Sequence, residues 1–252
     1  MCGGEGSGRI EIRRALAVSS SDAPAAGVTT RVQMVTPRRR ISGPQDGNES
    51  GNRRTIESYE RIARAYADET APDRSDPAQS VAEGLRRLVD AVPTGGTALE
   101  VGSGPGWDAD VVESQGVTVR RTDITAAFID LQEERGKHVD RLDVISGDLG
   151  GPYDAVMALA VLHHVNRDRI PALLRKVADA LHPGGVFLVA IREGDGEHWE
   201  TGDSGNPYFT VLWREPDFRD QLEDVGLMVR WSSRNEDSEE SHWLAFLARK
   251  ES

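Results

Sequence analysis

Residues 55–69, TIESYERIARAYADE, carry Ile56, Tyr59, Ile62, Ala63, Tyr66 and Ala67 at helical spacing, which predicts a helix with one apolar face and two tyrosines on it. The breaker APDRSDP separates it from a second helical pattern, AQSVAEGLRRLVDAV, in which Val81, Leu85, Leu88 and Val89 share a side until Pro93 and the Gly95-Gly96 pair stop it. At Thr97 the period changes. A short apolar run from Thr97 to Val101 ends in a glycine turn, and a helix is expected over about Trp107 to Gln115. VTVRRTD reads as a strand ending at Asp123, followed by a helix over Ala126 to Arg135 and a weaker strand around Arg141 to Ile145. After the turn GDLGGP, the run YDAVMALAVL is apolar almost throughout, as in a strand buried on both faces of a parallel sheet. Arg169 to Leu181 is amphipathic, with Pro171 in the first turn where proline is tolerated, and HPGG leads into another buried strand, GVFLVAI.

Strands alternating with helices of about 10 to 15 residues predict βαβ units and a doubly wound α/β fold. The tail departs from this rhythm. A Gly- and Asp-rich loop from Arg192 to Pro207 precedes a helix over Glu215 to Val225, and then LMVRWSS and HWLAFLARK, joined by the acidic turn RNEDSEES, form an expected antiparallel pair. Upstream, Met1 to about Asn52 has no sustained apolar period and too little to bury against its conformational entropy. The expected organisation is a flexible extension over 1–52, N-terminal helices acting as a lid over 53–96, and a core over 97–252. Met34 is a candidate natural start, which native peptides from before Met34 would exclude.

Composition narrows the function classes. The chain has 252 residues, 38% of them hydrophobic, and no apolar run approaches the ~18 residues of a membrane span. The N-terminus lacks a secretory pattern. Cys2 is the single cysteine, so no intrachain disulfide or thiolate metal cluster is expected, and a reducing, cytoplasmic setting fits. A formal net charge of −12 works against nucleic acid and anionic lipid as partners. The basic cluster Arg38 to Arg40 reads as part of a solvated tail.

The candidate chemistry starts at TALEVGSGPGWD, where Gly102, Gly104 and Gly106 follow an apolar strand at alternate positions. Such a turn lets a ligand approach the backbone, and the helix behind it aims free N–H groups at the same place. The dinucleotide pattern G-x-G-x-x-G fails from Gly102, where the last position is Trp107, and survives from Gly104, where it is Ala109. Glu100 separates the readings: it would repel a pyrophosphate and welcome a ligand with a cationic end.

With these residues in place the chain resembles the class I S-adenosylmethionine-dependent methyltransferases. The resemblance rests on Glu100-Val-Gly-Ser-Gly-Pro-Gly106, Asp123, Asp143-Val144, Tyr153-Asp154-Ala155-Val156, Leu162-His163-His164 and Leu181-His-Pro-Gly-Gly185, in that order, and spans about Thr55 to Lys250. It implies a Rossmann-like doubly wound sheet of seven strands, mostly parallel with an antiparallel last strand, which accounts for the tail. It also implies S-adenosylmethionine as cofactor. Glu100, Gly102, Ser103, Gly104 and Gly106 are then expected at the methionine end, Asp123 on the ribose hydroxyls, Ile124 against the adenine, and Asp143 with Val144 at the adenine amino group. A slip of register in the third strand would hand the last role to Asp148.

Methyl transfer is a displacement on a sulfonium, so the protein aligns the acceptor and, for a weakly acidic one, removes a proton. His163 and His164 are the candidate catalytic bases, one expected to face the pocket and the other to pack. Tyr59, Tyr66, Trp199, Tyr208 and Trp213 are candidate lid or substrate residues, and the glycines of REGDGE suggest a loop that closes. A metal site is not expected. The function read from the sequence is transfer of a methyl group to an O or N atom of a small molecule, in specialised metabolism. A non-catalytic S-adenosylmethionine-binding partner or regulator and an NAD-type oxidoreductase are the alternatives, and the oligomeric state is open.

Overall fold

Alternate residues of the central strands belong to different cores. Leu99 and Val101, Val156 and Ala158, and Phe187, Val189 and Ile191 pack on one side of a sheet, while Ala98, Ala155, Met157, Val186 and Leu188 pack on the other. A sheet that buries both faces has to be covered twice. The computed structural model describes residues 39–41, 48–71, 79–201, 205–238 and 241–251. All of them lie in one unit, Val32–Ser252. The expected extension before Arg39, with Met34, lies outside the described residues.

The elements in order are β1 (Arg39–Ile41), α1 (Asn48–Thr70), α2 (Gln79–Ala91), β2 (Thr97–Val101), α3 (Trp107–Ser114), β3 (Thr118–Asp123), α4 (Ala126–Glu134), β4 (Val139–Arg141) and β5 (Tyr153–Leu159). Two short 3-10 turns, Leu162–His164 and Arg167–Arg169, lead into α5 (Ile170–Asp179) and β6 (Leu181–Arg192). Then come β7 (Glu197–Thr201), β8 (Pro207–Val211), α6 (Glu215–Glu223), β9 (Leu227–Ser238) and β10 (Ser241–Lys250).

Seven strands form the main sheet in the order β4-β3-β2-β5-β6-β10-β9. Neighbours from β4 to β6 are parallel, and β10 runs antiparallel to both β6 and β9. This is the Rossmann-like sheet the sequence implies, with the terminal hairpin as its odd end. Leu173, Leu174 and Val177 of α5 with Phe218 and Leu222 of α6 cover one face. Leu85 and Leu88 of α2 with Ala109 and Val112 of α3 cover the other. Among the described residues no helix is long and apolar enough to cross a membrane.

Four regions differ from the sequence reading. The strand expected at Arg141 to Ile145 is Val139–Arg141, because the residues after it form the turn that Asp143 closes, and β9 runs to Ser238 through residues expected as an acidic turn, because β10 pairs with them. Arg192 to Pro207 is not a plain loop: β7 lies within it and pairs antiparallel with β8, which starts at its end, and β1 pairs with β7 to make a second, three-stranded sheet. The helix expected near Thr55 begins at Asn48. Both the strand and the added helical turn fall in the polar stretch assigned to the extension. Three residues, Arg39–Ile41, carry no readable period, and their pairing with Trp199, Glu200 and Thr201 comes from far along the chain.

Candidate cofactor and acceptor site

β2 carries Glu100 and the glycine turn to the carboxyl edge of the main sheet, where ligands of such folds bind. Gly102, Gly104 and Gly106 have φ of 64°, 53° and 83°. The three serve different neighbours. A Cβ at residue 102 would stand 2.5 Å from Val161 Cγ2 and one at residue 106 would collide with Gln132 Oε1, whereas nothing lies within 4 Å of a Cβ placed on Gly104. The protein's own packing keeps Gly102 and Gly106 bare. At Gly104 the side where a Cβ would stand borders open space.

A side-chain network lies beneath the turn. Arg121, 2% exposed, donates from Nη1 to Gly106 O at 3.1 Å and to Gln132 Oε1 at 2.8 Å. Its Nε reaches Glu113 at 2.8 Å and its Nη2 reaches Asp110 at 2.6 Å. Gln132 turns its amide the other way, donating to Ser103 Oγ at 3.0 Å and Gly104 O at 2.8 Å. Ser103 Oγ in turn donates to Glu100. The carbonyls of a tight turn are thus met by donors fixed in the core. The sequence reading missed Arg121 and Gln132. A signal existed: Arg120-Arg121 inside an apolar strand needs carboxylates, and Asp110 and Glu113 stand one helical turn apart on α3.

The two acids flanking Gly104 are both 4% exposed. Burial, and after it the charge of Asp108, push Glu100 up to about 8, and burial pushes Asp108 up to about 6. Taking a carboxylate out of water disfavours its charge, and an arriving cation would restore it. Asp123 accepts from Gly104 N and Thr125 N, each at 2.8 Å. Its carboxyl is raised, with burial outweighing those N–H groups. Ile124 is half-buried beside it.

Asp143 sits just past β4, joined to Asp123 through Leu142 N, which donates to Asp123 O at 2.9 Å. Its carboxylate accepts from Ile145 N at 2.9 Å and Ser146 Oγ at 2.7 Å, closing its own turn. Lys176 of α5 holds that turn from outside, donating to the carbonyls of Val144, Ile145 and Gly147 at 2.9, 3.2 and 2.5 Å. Val144 packs against the core, and Asp148 is exposed further along.

On the acceptor side, Ala160 takes φ 57° at the end of β5, and the chain turns so that Val161 meets Gly102 and His163 and His164 follow in a buried 3-10 turn. The His163 and His164 rings are 3.9 Å apart, and His163 also meets the Trp243 ring edge-on at 5.2 Å. His164 Nδ1 lies 2.6 Å from Phe209 O, and its Nε2 lies 3.0 Å from Tyr59 Oη. Tyr59 is also 5.7 Å from Tyr66, 5.9 Å from Phe128 and 5.0 Å from Tyr208 between ring centroids. Of the five aromatic candidates, Tyr59 and Tyr208 therefore lie beside His164, and Tyr66 packs against Tyr59. Trp199 packs on Phe209 in the second sheet, and Trp213 lies in the core between the Arg167 guanidinium at 3.9 Å and Phe218 at 5.3 Å.

α1 spans this region as a strap. Thr55 Oγ1 accepts from Phe209 N at 3.0 Å and Ser58 Oγ donates to Pro207 O at 2.7 Å, tying the helix to β8. On its other flank, Glu60 accepts from Ala126 N at 2.7 Å and Ala127 N at 2.9 Å, so α1 supplies the N-terminal cap of α4. Among the described residues, no group of three or more His, Cys, Asp or Glu is placed to hold a metal ion.

Bare backbone at Gly104 between two buried carboxylates fits a cofactor that carries an ammonium and a pair of ribose hydroxyls. Residues 99–187 match a family model described as a methyltransferase domain. A search of curated protein sequences finds no match to the chain. Among solved structures, it is similar to the Burkholderia thailandensis 1,6-didemethyltoxoflavin-N1-methyltransferase with bound 1,6-didemethyltoxoflavin and S-adenosylhomocysteine, at 20% identity and a TM-score of 0.62 over 85% of this chain and 95% of that one. The DhpI–SAH complex superposes with a TM-score of 0.63 at 21% identity, covering 81% of this chain and 99% of that one. A TehB-like S-adenosylmethionine-dependent methyltransferase from Corynebacterium glutamicum matches at 21% identity and a TM-score of 0.56, over 78% of this chain and 98% of that one. At such identities the structural likeness is one of fold. Residues 99–187 thus match a methyltransferase domain, and the seven-stranded sheet that frames them shares its fold with S-adenosylmethionine-dependent methyltransferases.

Proposed function

We propose that this enzyme methylates an O or N atom of a small molecule, as a step of specialised metabolism in the cytoplasm. The observation that carries the cofactor site is the open backbone at Gly104 with Glu100 on one side and Asp123 on the other. Glu100, Gly102, Ser103, Gly104 and Gly106 hold the methionine end, Asp123 takes the ribose hydroxyls, and Ile124 with the Asp143-Val144 turn bounds the adenine. When bound, the cofactor supplies an electrophilic methyl group on a cationic sulfur.

The protein's own part is to hold the acceptor in line and keep water out. The half-buried Tyr59 and Tyr66, backed by the buried Phe128 and Tyr208, favour a flat or apolar acceptor, in keeping with the 1,6-didemethyltoxoflavin bound to the Burkholderia thailandensis methyltransferase. A net charge of −12 speaks against a nucleic-acid substrate.

Calorimetric titration with S-adenosylmethionine, S-adenosylhomocysteine and NAD tests the reading. Binding of the first two and not the third is expected, and binding of NAD alone would overturn it. Methyl-labelled cofactor with a small-metabolite extract then yields a labelled low-mass product, whereas label carried only by RNA or protein would overturn the acceptor class.

A further inference from the structure

The His164 ring is held at both nitrogens by residues distant in sequence. A carbonyl oxygen can only accept, so the 2.6 Å contact with Phe209 O fixes the proton of the neutral ring on Nδ1. Nε2 is then an acceptor, and the Tyr59 hydroxyl at 3.0 Å must donate to it. The sequence reading offers His163 and His164 as candidate bases, one of them facing the pocket, and Tyr59 as a lid residue. The lone pair of His164 points at Tyr59, and the half-buried phenol ring packs on the half-buried Tyr66 and on the buried Phe128 and Tyr208, the last of which lies beside His164 as well.

We propose that Tyr59 is the group that takes the proton from the methyl acceptor, with His164 as the positioning residue that draws the phenol's own proton away. This rests on the methyl-transfer reading above. As the acceptor's O–H or N–H proton moves to Tyr59 Oη, the Tyr59 proton moves to His164 Nε2, and the electron pair left on the acceptor forms its bond to the methyl carbon. The pair of the breaking S–C bond stays on sulfur. The imidazolium keeps its Nδ1–H on the Phe209 carbonyl and afterwards yields its Nε2 proton to solvent. His163 takes no part in the relay. The titratable groups packed against the pair are His163 from the same turn, Tyr66 from α1 and Tyr208 from β8.

A phenol poised in this way is a better nucleophile toward any small electrophile, so the test needs no acceptor. The full chain is treated with benzenesulfonyl fluoride and the modified tyrosines are followed by mass spectrometry, with S-adenosylhomocysteine affinity and melting temperature measured alongside. Tyr59 is expected to be modified at least tenfold faster than the other tyrosines and at least tenfold slower in His164→Gln. The wild-type ratio of Tyr59 to the other tyrosines is a measurement that stands if the variant fails to fold. A Tyr59 rate that His164→Gln leaves unchanged, or a wild-type Tyr59 rate no faster than that of the other tyrosines, would overturn the relay. Failure to bind S-adenosylhomocysteine would instead overturn the methyl-transfer reading, whatever the labelling shows.

Discussion

Arg121 and Gly106 meet beneath the glycine turn, the guanidinium Nη1 donating to the glycine carbonyl at 3.1 Å while Nε and Nη2 are spent on Glu113 and Asp110. The arginine side chain is 1% exposed and its two carboxylate partners are 29% and 28% exposed. Removing the cation strands partners that water can partly reach, so Arg121→Met is expected to cost about 3 kcal/mol, the low end for a broken buried pair. Denaturant unfolding reads this directly. A loss well under about 1 kcal/mol would place Arg121 among surface ion pairs.

Gly104 and Gly106 should separate binding from folding. Alanine at residue 104 meets nothing, so Gly104→Ala bears only the left-handed backbone cost of about 1 kcal/mol. Its methyl group would occupy the space a cofactor needs, and affinity for S-adenosylhomocysteine is expected to fall at least tenfold. Gly106→Ala adds collisions with Gln132 and Arg121, and about 3 kcal/mol of stability should go with them. Equal effects of the two variants on melting temperature would count against this division.

Glu100 makes stability depend on pH in an unusual direction. Its carboxyl is lifted from 4.5 to about 8, so between those values the folded chain keeps a proton that the unfolded chain has released. Without cofactor, stability should fall as pH rises through that window, and Glu100→Gln should lessen the fall. An ammonium group beside Glu100 favours the carboxylate, so cofactor binding near neutral pH should release protons. Calorimetry in buffers of different ionisation enthalpy detects that release, and parallel melting profiles for wild type and Glu100→Gln would refute the assignment.

Asp123→Ala removes the acceptor for Gly104 N and Thr125 N together with the proposed ribose ligand. Cofactor binding should weaken by about 1 to 3 kcal/mol, the cost of leaving buried polar partners unmet. Unchanged affinity in a folded variant would remove Asp123 from the site.

Glu60→Ala uncaps α4 from outside its own sequence. About 1 kcal/mol of local stability should be lost, seen as faster hydrogen exchange at Ala126 and Ala127, the two amides Glu60 accepts from. Exchange rates that do not move would show that α1 does not hold the start of α4.

The parts of this protein that the sequence determined are those whose burial is periodic along the chain. Strands such as β2, β5 and β6 bury both faces, α5 buries one stripe, and three glycines end a strand, so the doubly wound sheet, its terminal hairpin and the turn facing the ligand can be read locally. What only the tertiary structure decided are pairings between distant residues with no local period. β1 exists because of β7, and Trp213 is core because Arg167 and Phe218 enclose it. Arg121 can be buried because α3 brings two carboxylates to it. His164 was visible as a candidate base, but a histidine's role depends on which nitrogen holds the proton. Phe209 and Tyr59, 45 and 105 positions away, settle that through contacts no periodicity encodes.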